Sequence, residues 1–575
     1  MGGLTQKFLL ISFLIVHGKG FPQQLIERTE YAHEPHVRSL YQPEKYFTKV
    51  SSGNDVTTVR PSSTHPMDNP SWKAPLGPME ERKEQFWIDN GQNYLKKRLA
   101  LNLNKKVAKN VIIFIGDGMS LATQMATRAY LGNENIYLSF EKFPFTGLSK
   151  TYAPNYQVPD SANTASAILA GSKNNYGTVG VTGEVRLQDC KAAQNEKNHL
   201  KTIMKWAQEQ GRSTGIVTTT RLTHATPAAS YAISPDREFE NDGNTPEGCT
   251  DIAKQLILGE TGKNFKVQLG GGSREFYPSE EMIHGWNGSR KDRINLVDEW
   301  KKLHSDRAKV AMNRDELLKI NANNTDFLFG LFSNSHMAYH MEADPSVEPT
   351  LEEMTAKAIE ILQKNEKGFV LLVEGGLIDQ AHHRNFGQMA LNETQEFAKA
   401  IQYAKDATDD EETLIVVTAD HSHTFTVGGY PERGNDILDV GDFSRLDGLP
   451  FLTLAYANGM SYFDHFENGK RKNPDDMPVH DPRFTYPSNV PYEDETHGGE
   501  DVAVYANGPW SHLFVGNYEQ SYIFHAMMYA SCLGGSNYEK APACNGGHKI
   551  AGMSAATLLI AVLMITGLKQ LLLDD

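Results

Sequence analysis

The sequence lacks features that would mark several large classes of protein. Of its 575 residues, 71 are aspartate or glutamate and only 56 are lysine or arginine, which gives a formal net charge of -15. Without a basic excess the chain repels phosphate backbones, so we expect no nucleic-acid partner. The sequence also shows no internal repeat. If this protein handles phosphate, it does so in a cleft where metal ions or a local arginine reverse the field.

Cysteine is also scarce, and the four cysteines are Cys190, Cys249, Cys532 and Cys544. None stands near the metal-type residues described below, so structural disulfides are favoured over zinc thiolates. Four cysteines can pair in three ways. We expect Cys190–Cys249 and Cys532–Cys544, because these pairs are the closest neighbours in the sequence.

Long apolar runs are missing as well, although both ends of the chain carry a shorter one. A membrane-spanning helix needs about 20 apolar residues, and the run from Phe8 to Val16 is too short. Preceded by Lys7 and followed by small residues, this run predicts a secretory signal peptide over residues 1–20. A buried N-terminal helix is the alternative.

The second run, from Ala555 to Leu568, follows a polar stretch of small residues. A small-residue site, a spacer and a terminal hydrophobic tail form a GPI-anchor signal, which is removed when the lipid is attached. We expect residues 545–575 to be this signal and Asn545 to be the attachment residue. The mature protein would then lie at the cell surface, on the extracellular side of the plasma membrane. The alternatives are a core helix and a spanning helix, which would have to include Lys569.

Composition divides the rest of the chain. Residues 21–80 are rich in Pro, Ser, Thr, His and charge, which predicts a flexible extension, with a pro-segment as the alternative. Over residues 81–535, β-rich apolar runs alternate with helical patterns, which predicts an α/β domain with a large, mostly parallel central sheet flanked by helices on both faces. The turn-rich, aromatic stretch 431–496 reads as a small insertion. Sequons mark three candidate glycosylation sites, Asn287, Asn323 and Asn392.

Side chains with carboxylate, hydroxyl or imidazole groups follow four of the apolar runs. They are Asp117 after the first run, His224 and Thr226 after the second, Glu374, Asp379 and His383 after the third, and Asp420, His421 and His423 after the fourth. Open α/β sheets bind ligands beyond the carboxyl ends of their strands, and these side chains are ligands of zinc and magnesium. Asp379 and His383 are four residues apart, so one helical face can present both to one ion. Alone, such a pair is more often a surface ion pair or a cap.

Ser161 is the candidate nucleophile. It follows Pro159 and Asp160, and the small residues after it predict a helix whose first N–H groups can bind an anion. No Gly-x-Ser-x-Gly elbow surrounds it, which disfavours an acyl-transfer hydrolase. A bound metal ion is therefore the expected activator. The alternative is that Ser161 merely caps the helix.

These motifs resemble, in their order and spacing, those of the alkaline phosphatases. The resemblance covers about residues 80–535 and rests on Gly116-Asp117-Gly118-Met119, Asp160-Ser161-Ala162, Thr218–Pro227, Val373–His383, Thr418–His423 and Glu495–Val502. The membrane-anchored animal branch fits best, because the anchor signal and the 431–496 insertion, called the crown in that branch, are both present. The resemblance implies an alkaline phosphatase-like fold and the hydrolysis of small phosphate monoesters through a phosphoserine on Ser161.

The resemblance also implies two Zn²⁺ and one Mg²⁺ per subunit. The first zinc would be held by Asp379, His383 and His497, the second by Asp117, Asp420, His421 and Ser161, and the magnesium by Asp117, Thr226 and Glu374. His224 would stand beside the magnesium, and His423 would orient a zinc ligand. Arg237 would bind two phosphate oxygens with a fork geometry that lysine cannot reproduce.

Tyr430 follows Gly428-Gly429 and matches a tyrosine that reaches the neighbouring subunit in this family, which implies a homodimer. The alternative for Tyr430 is a packed loop aromatic. Two other functions compete with a phosphomonoesterase. One is a phosphodiesterase, sulfatase or phosphoglycerate mutase of the same architecture, although the Cys/Ser-x-Pro-x-Arg motif of sulfatases is absent around Ser161. The other is a surface-anchored binding protein that has kept the fold without the catalysis.

Overall fold

The computed structural model describes residues 76–535 except 284 and 305, together with residues 538 and 544. The predicted signal peptide, nearly all of the predicted extension and the predicted anchor signal with Asn545 lie outside the described residues. None of the described helices combines the length and the apolar character that crossing a bilayer requires.

One large sheet organises the described part of the chain. In spatial order its strands are β21 (Gly516–Glu519), β2 (Phe145–Lys150), β20 (Val502–Asn507), β10 (Thr413–Thr418), β1 (Asn110–Gly116), β9 (Phe369–Gly375), β3 (Ser213–Arg221), β4 (Val267–Gly271), β8 (Phe327–Leu331) and β7 (Ala308–Ala311). Only β20 runs antiparallel to its neighbours β2 and β10 among these described pairings. The predicted mostly parallel sheet is therefore confirmed.

The described part of the chain contains 14 α-helices, several of which cover the two faces of this sheet. They are α1 (Glu84–Leu99), α2 (Leu121–Tyr130), α3 (Ser161–Ala170), α4 (Cys190–Ala193), α5 (Ile203–Glu209), α6 (Ala225–Ala228), α7 (Ile252–Leu258), α8 (Leu296–Leu303), α9 (Arg314–Lys319), α10 (Leu351–Leu362), α11 (Leu377–His383), α12 (Gly387–Ala407), α13 (Tyr462–His465) and α14 (Tyr522–Ser531). Helices α3, α5, α7, α8 and α14 contribute to the core on one face, and α9 to α12 to the core on the other.

The alternation of side chains along β1 shows why its sequence is a continuous apolar run. Val111, Ile113 and Ile115 pack into the core on one face, whereas Ile112 and Phe114 pack into the core on the other. A strand that is covered on both faces has no solvent side on which polar residues are favoured. The polar residues of this segment are consequently concentrated where the strand ends.

The insertion predicted over 431–496 lies outside the large sheet. Its strands are β13 (Val440–Phe443), β14 (Pro450–Leu452), β15 (Leu454–Gly459), β16 (Phe466–Glu467), β17 (Lys470–Arg471) and β18 (Ser488–Pro491). The remaining short strands are β5 (Met282–Ile283), β6 (Trp286–Asn287), β11 (Ser422–His423), β12 (Phe425–Val427) and β19 (His497–Gly498). A separate apolar cluster around Tyr456 and Tyr486 joins this region to α2.

Both disulfides that the sequence predicts are present. Cys190 is bonded to Cys249 and Cys532 is bonded to Cys544, and the described residues contain no free cysteine. The first bond ties the start of α4 to the segment before α7. The second follows α14, at the end of the continuously described chain.

Candidate active site and metal centre

Four neighbouring strands deliver the candidate residues to one edge of the sheet. Strands β10, β1, β9 and β3 are adjacent, and their carboxyl ends meet there. Asp117 directly follows β1, Asp420 follows β10, and α11 presents Asp379 and His383 after β9. Glu374 lies within β9 rather than beyond it. Residues that are far apart in the sequence are thus gathered at a single place.

One set of these side chains is dominated by imidazole, and we call it the nitrogen-rich group. Its members are Asp379, His383, His423 and His497, whose ligand-type atoms lie within 4.8 Å of one another. The Nε2 atoms of His383 and His497 are 3.1 Å apart, and each is 3.3 Å from Asp379 Oδ1. Their Nδ1 atoms face the carbonyl oxygens of Glu495 and Pro159. Because a carbonyl only accepts, Nδ1 carries a proton, and Nε2 is the nitrogen left to bind a metal ion.

His423 supports this group from behind. Its Nε2 lies 2.7 Å from Asp379 Oδ1, and its Nδ1 lies 2.5 Å from Glu495 Oε2. Burial opposes the charged imidazole, but Glu495 and Asp379 outweigh burial and raise the pKa of His423 to about 10. Burial also opposes ionisation of Asp379, yet the charge of His383 and three histidine hydrogen bonds hold the pKa of Asp379 well below its usual range. This is the contact that the predicted orienting role of His423 requires.

A second set is dominated by oxygen atoms, and we call it the oxygen-rich group. Its members are Asp117, Thr226 and Glu374, all with no exposed surface. His224 joins them, with one ring nitrogen within 4.8 Å of ligand-type oxygens of Asp117 and Glu374. Glu374 Oε1, Thr226 Oγ1 and His224 Nδ1 are buried and have no hydrogen-bond partner among the described residues. Buried polar atoms are normally paired, so three orphans in one place indicate a missing ligand.

Two threonines of β3 position Glu374. Thr218 Oγ1 donates a short hydrogen bond to Glu374 Oε2, and Thr220 Oγ1 donates to the same oxygen over 2.9 Å. Burial raises the pKa of Glu374 to about 7, although these hydroxyl bonds act in the opposite direction. The threonines therefore fix one carboxylate oxygen and leave the other unpaired beside Asp117.

His421 links the two groups to the candidate nucleophile. Its Nε2 lies 3.3 Å from Asp117 Oδ1, 3.3 Å from Asp420 Oδ2 and 3.2 Å from Ser161 Oγ. Burial and the neighbouring His497 lower the pKa of His421 well below its usual range, so this imidazole is neutral. A neutral imidazole and two carboxylates around one hydroxyl form the donor set that a divalent cation requires.

Ser161 is the first residue of α3, and the cap of that helix is Asp160. The Asp160 carboxylate accepts hydrogen bonds from the backbone N–H groups of Ala162 and Asn163, and Asn163 Oδ1 accepts from the Asp160 N–H over 2.9 Å. The alternative that Ser161 caps the helix is therefore wrong. Its hydroxyl is free of a capping role and lies 3.4 Å from Asp117 Oδ1.

Arg237 reaches the same edge of the site. Its Nη1 donates to Asp160 Oδ2 over 3.2 Å, and its Nη2 donates to His224 Nε2 over 2.8 Å. Burial opposes the guanidinium charge, but Asp160 and Glu238 raise the pKa of Arg237 above its usual value. A charged fork tied to the cap of the Ser161 helix can bind two oxygens of an anion.

The residues present fit divalent cations. Asp117, Glu374, Asp379 and Asp420 are at most 2% exposed and crowd the same site. Burial and the charges of Asp379 and Asp420 raise the pKa of Asp117 well above its usual range, because buried carboxylates resist ionisation and repel one another. Metal ions would offset this repulsion, and the imidazole and hard-oxygen donors suit zinc and magnesium.

Several residues that support the site were missed by the sequence-based prediction. They are Asp160, Thr164, Thr218, Thr220 and Glu495. Thr164 Oγ1 donates to Asp420 Oδ2 over 3.1 Å, and Glu495 holds His423. Asp160 and Glu495 could have been found from their positions in the motifs, because Asp160 precedes Ser161 and Glu495 stands two residues before His497. Thr218 and Thr220 give no such signal, since threonine is ordinary in a strand.

The other singled-out residues lie away from this centre. Asn287 and Asn323 are exposed, whereas Asn392 lies within α12 and its side-chain oxygen is buried without a partner among the described residues. Tyr430 is 93% exposed, so the alternative of a packed loop aromatic is wrong for the single chain.

Comparisons with known proteins identify the family of this chain. The profile of the alkaline phosphatase family matches residues 108–533. The human tissue-nonspecific isozyme of alkaline phosphatase is 43% identical over 498 residues, which are 83% of this chain and 94% of that protein. The membrane-bound alkaline phosphatase of Bombyx mori is 44% identical over 479 residues, covering 79% of this chain and 86% of that protein.

Solved structures show the same fold. The cold-active alkaline phosphatase of a Shewanella species matches with a TM-score of 0.53 and 26% identity, covering 73% of this chain and 99% of that chain. The alkaline phosphatase of Thermus thermophilus matches with a TM-score of 0.54 and 21% identity, covering 74% and 92%. This protein belongs to the alkaline phosphatase family.

Proposed function

We propose that this protein hydrolyses phosphate monoesters at the site just described, with Ser161 as the nucleophile. The observation that carries the proposal is the position of Ser161 Oγ. It lies 3.2 Å from His421 Nε2 and 3.4 Å from Asp117 Oδ1, at the N-terminus of a helix whose cap holds Arg237. Nucleophile, activating ligands and anion-binding groups thus meet at one point.

The metal ions that the family implies would be held by three sets of residues. The first Zn²⁺ would be held by Asp379, His383 and His497, the second by Asp117, Asp420 and His421 beside Ser161, and the Mg²⁺ by Asp117, Thr226 and Glu374. Bound metal would lower the pKa of an attacking oxygen and offset charge on the attacking and leaving oxygens. His423 would orient Asp379, and the threonines of β3 would orient Glu374.

The side chains of this protein position the phosphate. Arg237 supplies a fork for two nonbridging oxygens, and the positive end of the α3 dipole favours negative charge at Ser161. Ser161 Oγ forms a bond to phosphorus while the bond from phosphorus to the alcohol breaks, and the alcohol leaves with a proton. Water then attacks the phosphoserine, which releases phosphate and returns a proton to Ser161.

Substitution of Ser161 tests this proposal directly. In Ser161→Ala, p-nitrophenyl phosphate hydrolysis should fall by at least about a thousandfold, because the attacking oxygen is gone. Ser172→Ala, just beyond the same helix, is the matched control and should retain activity. Folded Ser161→Ala protein that keeps wild-type turnover would overturn the proposal. Hydrolysis of sulfate esters or phosphodiesters in preference to monoesters would favour the competing enzyme classes, and absence of any hydrolysis would favour a binding protein.

We further propose that the protein acts as a GPI-anchored glycoprotein on the cell surface, in the domain organisation given above. The membrane-bound relative in Bombyx mori and the sequence around Asn545 support this assignment. Release from cells by phosphatidylinositol-specific phospholipase C, and loss of anchoring when Asn545 is changed to Gln, are the expected results. Asn287 and Asn323 are the exposed glycosylation candidates.

A homodimer is the proposed assembly. Helix α1 buries none of its residues in the single chain, and Trp87, Tyr94 and Leu99 on it are more than half exposed, as is Tyr430. A second copy would cover this apolar surface, because its exposure to water is unfavourable. Sedimentation should give twice the chain mass for the wild type and a shift toward the single-chain mass for Tyr430→Ala.

A further inference from the structure

A second arginine–histidine pair lies directly beside the pair that contains Arg237. Arg221 Nη1 donates to His336 Nε2 over 2.8 Å, and Arg237 Nη2 donates to His224 Nε2 over the same distance. The rings of His224 and His336 are 5.1 Å apart and meet edge to face at 79°. Neither Arg221 nor His336 belongs to the metal-type groups, and the proposed function has not used either of them.

Each arginine is anchored by a carboxylate. Arg237 is bonded to Asp160, and Arg221 is bonded through Nε and Nη2 to both oxygens of Glu240. Thr223 Oγ1 also donates to Glu240, over 2.5 Å. Glu240 stands three residues after Arg237, so Arg221 fastens the segment from which the Arg237 side chain projects.

The hydrogen-bond chemistry defines what His336 contributes. A guanidinium has donors and no acceptor, so the ring nitrogen that faces it must present a lone pair. His336 is therefore a neutral acceptor for Arg221. Burial and the charge of Arg221 lower the pKa of His336 to about 3, which agrees with this state. Its Nδ1 atom is buried and has no hydrogen-bond partner among the described residues.

We infer that His336 is a positioning residue for Arg237, acting through its edge contact with His224 and through the Arg221–Glu240 pair. This inference rests on the proposed function, in which Arg237 binds phosphate. Removal of the acceptor leaves Arg221 Nη1 with only its longer, 3.2 Å hydrogen bond to Ser335 Oγ, and it removes the ring against which His224 packs. Both changes loosen the guanidinium of Arg237, so phosphate binding should weaken more than turnover.

Three variants of His336 separate this role from a general structural one. Gln places an acceptor oxygen near the position of Nε2, whereas Asn is polar but too short to reach Arg221, and Leu has no acceptor. We expect His336→Leu and His336→Asn to raise the inhibition constant of inorganic phosphate and the KM by about fivefold, as for coupled neighbours. The kcat should change by less than about twofold, and His336→Gln should stay close to the wild type.

The decisive measurement is a double-mutant cycle with Arg237→Ala on the full-length protein, read out by phosphate inhibition. If His336 acts through Arg237, the fivefold effect of His336→Asn should vanish when Arg237 is already absent. An equal loss in both backgrounds, or an unchanged inhibition constant in His336→Asn, would overturn the inference. Should the Leu variant fail to fold, the Gln and Asn variants decide the outcome. A wild type that neither binds phosphate nor hydrolyses monoesters would instead refute the proposed function.

Discussion

The nitrogen-rich and oxygen-rich groups occupy the same edge of the sheet but are prepared for their ligands in opposite ways. In the nitrogen-rich group, His383 and His497 each turn Nδ1 toward an acceptor, which leaves Nε2, beside Asp379, as the atom that can bind a metal ion. In the oxygen-rich group, Glu374 Oε1 and Thr226 Oγ1 are simply left without partners among the described residues. An imidazole must have its tautomer fixed before it can bind a metal, whereas an oxygen ligand needs only to remain unpaired.

This comparison predicts unequal sensitivity of the two groups. A histidine ligand donates a directional lone pair to the metal ion, and a neighbouring water molecule replaces that donor poorly. Histidine ligands suit zinc. Oxygen ligands suit magnesium, which keeps several waters and depends less on any one side chain. Damage to the nitrogen-rich group should therefore cost more activity than damage to the oxygen-rich group, and the predictions below run from the largest expected effect to the smallest.

Loss of a nitrogen ligand should have the largest effect. His383→Ala removes one of the ring nitrogens that lie beside Asp379, and we expect p-nitrophenyl phosphate hydrolysis to fall by about a thousandfold, roughly 4 kcal/mol of barrier. His480→Ala is the control, because His480 is an exposed histidine of the insertion. Thr226→Ala, in the oxygen-rich group, should cost about a hundredfold or less. Equal losses in His383→Ala and Thr226→Ala would break the comparison.

The charge of the oxygen-rich group should lower the stability of chelator-treated protein as the pH rises. The pKa of Glu374 is raised from 4.5 to about 7, so folding opposes its ionisation. Stability is therefore fully present below about pH 4.5 and is lost as the pH rises through about 7. The loss attributable to Glu374 is roughly 3 kcal/mol, from 1.36 kcal/mol per pKa unit.

Glu374→Gln isolates this contribution, since the amide keeps the shape of the side chain and cannot ionise. Urea unfolding of the metal-free wild type and variant at pH 5 and pH 8 should show a smaller decrease for the variant. Added Mg²⁺ should recover the stability of the wild type at pH 8 and have less effect on Glu374→Gln. Identical decreases for the two proteins would show that the orphaned oxygen carries no such charge.

Substitution of Glu495, which holds His423 behind the nitrogen-rich group, should have an intermediate effect. Glu495→Gln removes the charge that holds His423 over a 2.5 Å contact, so His423 loses its main reason to remain charged beside Asp379. Retention of zinc against increasing chelator, measured by metal analysis, should weaken by about 10- to 100-fold. Glu493→Gln is an exposed control two residues away. Unchanged zinc retention would limit Glu495 to a packing role.

Sequence reasoning predicted the sheet and the gathering of ligands because both depend on local patterns. Strand β1 is apolar throughout since it is covered on both faces, and Asp117 is conspicuous where that run ends. Asp379 and His383 could be paired because the period of a helix fixes which residues share a face. The disulfides followed from sequence proximity.

The residues that hold these ligands in place could not be predicted in the same way. Thr218 and Thr220 alternate along β3 and meet Glu374 only because β3 and β9 are paired in a particular register. His336 lies more than a hundred residues from Arg221 and meets it only in the folded chain. Threonine and histidine at these positions look ordinary in a sequence, since their role is set by a partner that the local pattern does not contain.

The smallest predicted effect tests one of these missed contacts. Thr218→Val keeps the shape of the side chain but removes the donor to Glu374 Oε2, and we expect about 1 kcal/mol less stability in chemical unfolding. Thr214→Val is the matched control, because Thr214 is equally buried on β3 and bonds Gln208 instead. Both variants should lose similar stability, but only Thr218→Val should bind Mg²⁺ several-fold more weakly. If the two variants bind Mg²⁺ alike, the oxygen-rich group does not depend on its threonines and differs from the nitrogen-rich group still more than the structure suggests.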